Sequence, residues 1–284
     1  MRKWHASAET NRHGLTGKVA VVTGGTKGLG FAIARHLGAA GATVVVGARN
    51  QTGVDDAVAR LTAEGVMAYG LACDVGVYDD VVRLRDEALA HGGLDIWVNN
   101  AGASGPYGPT HLVSPESFAR VVRTNILGTF HGSRAVLPGM IERGGGHLVN
   151  VYGRGDRKPV RLQNAYASSK TWVRSFTRTL QKELRGTGVR VQGFNPGLVM
   201  TEMLLDVAVA PGYEGKLTAL PTVVGLWGQS PDDAARPILD LVTSDAPEYS
   251  DLTTARMMGR GVRSLATGRL RRDRLMPMTV NVAE

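Results

Sequence analysis

The feature that most narrows the fold of this chain is a set of short apolar runs that hardly alternate. They read "KVAVVT" (18–23), "ATVVVGA" (42–48), "VMAYGLAC" (66–73), "LDIWVNN" (94–100), "HLVNVY" (147–152) and "VRVQGF" (189–194). A strand with one wet face alternates apolar and polar residues, so runs of this kind belong to strands covered on both sides. Stretches of helical period separate them. Val54, Val58 and Leu61 keep one face until Gly65, and Val81, Leu84 and Ala88 keep another until Gly92 and Gly93. Ser114 before Pro115, and Ser230 before Pro231, read as N-caps with proline in the first turn. Strand and helix in turn mean βαβ units. The expected fold is α/β, one doubly wound parallel sheet with helices on both faces, in a single domain.

At 284 residues, 43% of them apolar, the chain is long enough for one substantial core. Cys73 is the only cysteine, which excludes an internal disulfide framework and points to a reducing, cytoplasmic setting. The first fourteen residues, "MRKWHASAETNRHG", lack the apolar core of a signal peptide and read as a flexible arm, and no later run is long enough to span a membrane. The net charge of +8 is concentrated at the other end: residues 256–284 hold seven arginines against Asp273 and Glu284. Without interleaved aromatics that is a solvated basic tail rather than a nucleic-acid face. The domain proper is expected over 15–255. Within it, residues 199–229 are apolar but broken by prolines and glycines, which suits a cover over a pocket. No metal is expected.

Directly after the first run comes "TGGTKGLG", from Thr23 to Gly30, with a helix expected from about Leu29. Glycines there let the backbone approach a diphosphate, and the N-terminus of the following helix offsets its charge. A turn through Gly24, Thr26, Lys27, Gly28, Leu29 and Gly30 is therefore a candidate dinucleotide cradle. The second run ends in Ala48 and Arg49 with no carboxylate to hold a ribose 2′-hydroxyl. Arg49 and Lys27 are two cations on the side where a 2′-phosphate would lie, so NADP(H) is preferred over NAD(H). Asp74, with Val75 beside it, follows the third run and is placed either to accept from the adenine amine or to cap a helix.

In this order and spacing, "TGGTKGLG", "NNAG" (99–102), "TNILGTF" around Asn125, "YASSK" (166–170) and "NPGLVMT" (195–201) resemble the short-chain dehydrogenase/reductase family. The resemblance spans roughly residues 15–245. It implies an NAD(P)-binding Rossmann fold, commonly dimeric or tetrameric, that moves hydride between nicotinamide C4 and a carbonyl or alcohol carbon. Tyr166 and Lys170 stand one helical turn apart, their side chains about 6 Å from each other on one face. A nearby ammonium favours the phenolate and lowers the tyrosine pKa, which suits Tyr166 as general acid or base. The resemblance adds ribose binding by Lys170 and a water chain to that lysine supported by Asn125. It also places Asn100, Ala101 and Gly102 beside the cofactor ribose, and Pro196, Gly197, Val199 and Thr201 near the carboxamide and phosphates.

One residue departs from the pattern. Most members carry a serine about a dozen residues before the tyrosine, donating to the substrate oxygen, and here the count reaches Gly153, preceded by Tyr152. Loss of one such donor costs on the order of 10²- to 10³-fold in rate. Three accounts stand open: Tyr152 or a loop N–H donates instead; the substrate needs only Tyr166 or brings its own hydroxyl; or the reaction is not hydride transfer, the chain being an isomerase, a cyclase or a nucleotide-binding regulator. The cover segment, with Met203 and Trp227, has the apolar surface for a bulky hydrophobic substrate, polyketide- or terpenoid-like, and equally for core packing or a subunit interface. "EYSDLTTARMMGRGV" (248–262) resembles the family's last strand only loosely. Partners are expected to be that substrate and a second copy of the chain, joined through the helices carrying Asn125 and Tyr166, with neither nucleic acid nor membrane.

Overall fold

A computed structural model describes residues 14–267 and 278–283. The expected flexible arm lies almost wholly outside that range. In chain order the elements are β1 (Val19–Thr23), α1 (Gly28–Ala39), β2 (Thr43–Ala48), α2 (Gln51–Ala63), β3 (Ala68–Ala72), α3 (Tyr78–Ala90), β4 (Ile96–Asn99), α4 (Pro115–Val121), α5 (Gly128–Glu142), β5 (Gly146–Val151), α6 (Asn164–Glu183), β6 (Val189–Asn195), α7 (Glu202–Leu205), β7 (Asp206–Val209), α8 (Leu220–Trp227), α9 (Pro231–Ala235), α10 (Ile238–Val242), β8 (Glu248–Ser250), α11 (Thr254–Ala266) and β9 (Thr279–Val282). The main sheet has seven parallel strands in the order β3-β2-β1-β4-β5-β6-β8. The fold is thus the doubly wound α/β sheet that the apolar runs imply.

Each central strand buries both faces. On β1, Ala20 and Val22 enter one core with Ile33 and Leu37 of α1 and Leu61 of α2, while Val19 and Val21 enter a second with Leu84 of α3, Trp97 and Met140 of α5. This two-sided burial is why the runs do not alternate. Ser114 and Ser230 cap α4 and α9, accepting from the N–H groups of Ser117 (3.2 Å) and Asp233 (3.1 Å). The strand order reverses between β1 and β4. Helices there leave to opposite faces, so a crevice opens beyond the carboxyl ends of the strands.

The C-terminal part is more structured than a solvated tail. α11 packs on α8, and β9 pairs in parallel with β7, joining residues 279–282 to the segment expected as a cover. That segment has its own small core of Val207, Val209, Leu220 and Val224, against which Tyr107, Met200 and Leu204 pack. Among the described residues no helix is long and apolar enough to cross a membrane.

Candidate active site

The turn after β1 fits a diphosphate. Gly24 has φ +65°, and a Cβ on Gly30 would overlap the Gly24 carbonyl oxygen and Asn100 Nδ2. No side chain caps α1 and no acid stands in its first turn, which leaves its N-terminus to an anion. Asn100 holds the turn to β4, its Nδ2 donating to the Thr23 carbonyl (2.9 Å) and the Gly24 carbonyl (3.3 Å). Thr23 Oγ1 accepts from the N–H groups of Asn100 (3.0 Å) and Ala101 (3.1 Å), a role the sequence reading missed although a threonine ending β1 was its signal.

At the adenosine end the two expected cations part company. Lys27 pairs with Glu202 of α7, both side chains largely exposed. Arg49 is exposed and forms no ion pair among the described residues. Asp74 closes a local turn, its Oδ1 accepting from Gly76 N–H at 2.9 Å, while its own N–H donates to Asp80 Oδ2 at 2.9 Å. The Val75 side chain is buried in the core, and its carbonyl accepts from His131 Nδ1 at 2.9 Å.

Tyr166, Lys170 and Asn125 come together. α6 carries Tyr166 and Lys170 on its sheet-facing stripe, and Lys170 Nζ lies 5.7 Å from the centre of the Tyr166 ring. Lys170 is 5% exposed and donates to the Val151 carbonyl at 3.0 Å. Asn125 lies in a π-helical turn, Val122–Leu127, where the bulge aims its side chain inward. There Nδ2 donates to the Ala103 carbonyl (3.0 Å) and Ser169 Oγ (2.9 Å), and Oδ1 accepts from Ala103 N–H (2.8 Å). A Cβ built on Gly102 would lie 3.6 Å from Asn125 Oδ1 and 3.9 Å from Lys170 Nζ, which places Gly102 against both groups.

The electrostatics differ from the simple expectation. Burial pushes the Tyr166 phenol up, and burial pulls the Lys170 ammonium down to about 8, with Asp156 opposing it. Among the protein's own groups, desolvation outweighs the attraction that would have lowered the tyrosine. At neutral pH the phenol therefore holds its proton and the lysine its charge.

Gly153 faces Tyr166, and any side chain there would have its Cβ overlapping the tyrosine hydroxyl. Tyr152 takes another direction. It is buried over Gly193 with the Arg174 guanidinium 5.3 Å from its ring centre, and burial pushes its hydroxyl up to about 12, with Thr177 opposing. The structure therefore does not bring Tyr152 together with Tyr166.

The 196–201 segment crosses back over the glycine turn, with the Thr201 methyl positioned to meet a Cβ on Gly28 at 3.0 Å. Its position is set from far along the chain. Gln229 Nε2 donates to the Pro196 carbonyl (2.6 Å) and to Asp251 Oδ2 (3.0 Å). Arg260 Nη2 reaches both Asp251 oxygens at 2.6 Å, and its Nη1 donates to the Trp227 carbonyl (3.2 Å). A Cβ on Gly261 would lie 3.3 Å from Trp227 Nε1, so Trp227 packs on α11, while Met203 is 42% exposed. Arg260→Ala removes the cation paired with the Asp251 carboxylate, which is 4% exposed, and leaves it the Gln229 amide. The expected loss is about 2–3 kcal/mol, below that of a fully buried pair because the arginine is partly wet, read by thermal unfolding together with faster proteolysis within 199–229.

Residues 18–209 match the family model described as short chain dehydrogenase. Dehydrogenase/reductase SDR family member 4 of Bos taurus is 41% identical over 191 residues, 67% of this chain and 68% of that protein. Glucose 1-dehydrogenase 2 of Bacillus subtilis is 32% identical over 242 residues, 84% of this chain and 93% of that protein. Among solved structures, a metagenomic short-chain oxidoreductase in complex with NADP matches with a TM-score of 0.69 at 31% identity, covering 84% of this chain and 97% of that one. The 3-ketoacyl-(acyl-carrier-protein) reductase of Brucella melitensis, complexed with NADH, gives 0.74 at 28%, with 86% and 99% covered. The chain belongs to the short-chain dehydrogenase/reductase family and is an oxidoreductase of that family's Rossmann-like type.

Proposed function

We propose that the chain is an NADP(H)-dependent reductase acting on a carbonyl of a bulky apolar substrate. The meeting of Tyr166, Lys170 and Asn125 against Gly102, beside the glycine turn, carries the reading. When bound, the dinucleotide supplies the hydride. The turn from Gly24 to Gly30 offers backbone N–H groups to its diphosphate, Asn100 to Gly102 flank its ribose, and Pro196 to Thr201 line its nicotinamide side. As the carbonyl carbon accepts hydride, the π pair moves to oxygen. Tyr166 Oη–H gives its proton to that oxygen, and Lys170 stabilises the phenolate left behind until solvent reprotonates it. The alcohol is the product. A phenol that stays protonated at neutral pH is the form this step requires.

Gly153 stands where the resemblance leads one to expect a serine, and a Cβ there would meet the Tyr166 hydroxyl. Half-buried Tyr107, Met200 and Leu204 support an apolar substrate, whereas Val207, Leu220 and Val224 are used up in the cover's own core. The test is NADPH oxidation over a panel of bulky ketones: loss of reduced nicotinamide must match alcohol formed, one for one. Product without that loss would replace the reading by an isomerase or cyclase. Nucleotide binding with no turnover would replace it by a regulator.

The choice of dinucleotide rests on Arg49, since Glu202 shares the charge of Lys27. Arg49→Ala is expected to weaken NADPH binding roughly 10- to 100-fold, the worth of one charge-assisted contact, and to leave NADH nearly unchanged in a fluorescence titration. A second copy of the chain is proposed to cover the exposed Leu127, Phe130 and Ile141, which light scattering would show as a dimer or tetramer.

A further inference from the structure

The segment joining β5 to α6 begins with a turn, Gly153 to Asp156, that is fastened along α6 from Tyr166 to Arg174. Gly153 lies against the Tyr166 hydroxyl, and a Cβ there would come 3.4 Å from Lys170 Cε. Gly155, at φ +98°, packs on the backbone of Ala167, and its carbonyl accepts from Thr171 Oγ1 at 2.6 Å. Asp156 closes the turn, its N–H donating to the Gly153 carbonyl at 3.1 Å, and its Oδ2 accepts from Arg174 Nη1 at 3.2 Å. Tyr166, Lys170 and Arg174 follow one another at single helical turns, so the turn touches both ends of this stripe.

Arg174 is held from its far side by Glu248 of β8, whose two oxygens lie 2.9 and 2.7 Å from Nη2, and Arg157 Nη2 reaches the same carboxylate at 3.0 Å. Asp156 is therefore a second anion on that guanidinium, and at 5% exposed it is buried beside the reacting pair. The elements around α6 bring few other charges to Lys170. Tyr152 lies under Arg174, Tyr107 of the loop after β4 acts on Tyr166, and Arg154 acts on Tyr107. Arg123, from the turn that carries Asn125, lies against Gly76 instead. Of these groups Asp156 is the one that opposes the desolvation of Lys170, and it also pushes the Tyr166 phenol up. Both groups then rest in the protonated form from which reduction starts.

We infer that Asp156 is a positioning residue for the proton transfer: anchored by Arg174, it fixes the 153–156 turn against Tyr166 and sets a buried negative charge that keeps Lys170 an ammonium. This rests on the reductase reading above. Asp156 acts through Lys170 and the turn, and exchanges no proton itself.

The test compares wild type with Asp156→Asn, which can still accept from Arg174 but has no charge, and Asp156→Glu, which keeps the charge. Two quantities are followed from pH 6 to 10: kcat for a bulky ketone with NADPH, and stability by urea unfolding. In Asp156→Asn the alkaline decline of kcat, and the pH at which stability begins to rise, should both move about one unit toward acid, the effect of losing a nearby opposite charge. The rate deficit should grow with pH to about tenfold at pH 9. Asp156→Glu should return both limbs toward wild type. In a Lys170→Met background Asp156→Asn should cause no such shift in unfolding. A rate deficit equal at every pH, with the unfolding limb unmoved, would mean a structural role and overturns this assignment alone. Wild type that oxidises no NADPH on any ketone overturns the reductase reading and the role in proton transfer with it, even where the unfolding limb moves as described.

Discussion

Tyr166→Phe is expected to lower kcat by about 10²- to 10⁴-fold, the usual worth of a positioned proton donor, while the Kd for NADPH stays close to that of the wild type. The substitution removes one oxygen and no ring contact, so melting temperature should hardly move. Two readouts separate chemistry from binding: steady-state reduction of a bulky ketone, and titration of NADPH by its fluorescence. A variant that keeps wild-type turnover would show that the proton comes from elsewhere, and the reductase mechanism in this form would fall. A loss of nucleotide binding would instead mean that Tyr166 shapes the ribose site.

Lys170→Met should do two opposite things. Turnover should drop at least about 10²-fold, since the phenolate formed after proton transfer loses its cation. Stability should rise, by about 2 kcal/mol near neutral pH, because a buried charge held by one carbonyl is replaced by an apolar chain of similar length. The sign with pH follows from the lowered lysine, about 8 in the fold against its ordinary 10.5. Between those values the unfolded chain binds more protons than the folded one, so the wild type gains stability as pH rises through that interval. The advantage of Lys170→Met is therefore full below about pH 8 and gone above 10.5. Wild-type reduction should also decline above about pH 8 as Lys170 loses its charge. Urea unfolding of both proteins at several pH values, with initial rates alongside, measures each limb. A pH-independent difference in stability would contradict the buried, charged lysine.

Much of the architecture was legible beforehand because it is written in local periods. β1 to β6 lie within the apolar runs to a residue or two at each end, and the serine caps of α4 and α9 act through their own N–H neighbours. The glycine turn was legible for the same reason, since its strand, turn and helix are contiguous. The pairing of Tyr166 and Lys170 needed only the pitch of a helix. β8 was read only loosely: its three residues become a strand through pairing with β6, and no period of their own shows it.

The sequence alone determined the layers, the position of the diphosphate turn and the spacing of phenol and amine, because each depends on residues within a few turns of one another. The tertiary structure alone decided which expected groups are free to act. It paired Lys27 with Glu202 and gave Arg49 no ion pair among the described residues, turned Tyr152 over Gly193, and tied α11 and β9 to the cover through Arg260, Asp251 and the β7 pairing. It also buried Lys170. Partnership and burial join residues far apart along the chain, and no local period in a sequence encodes them.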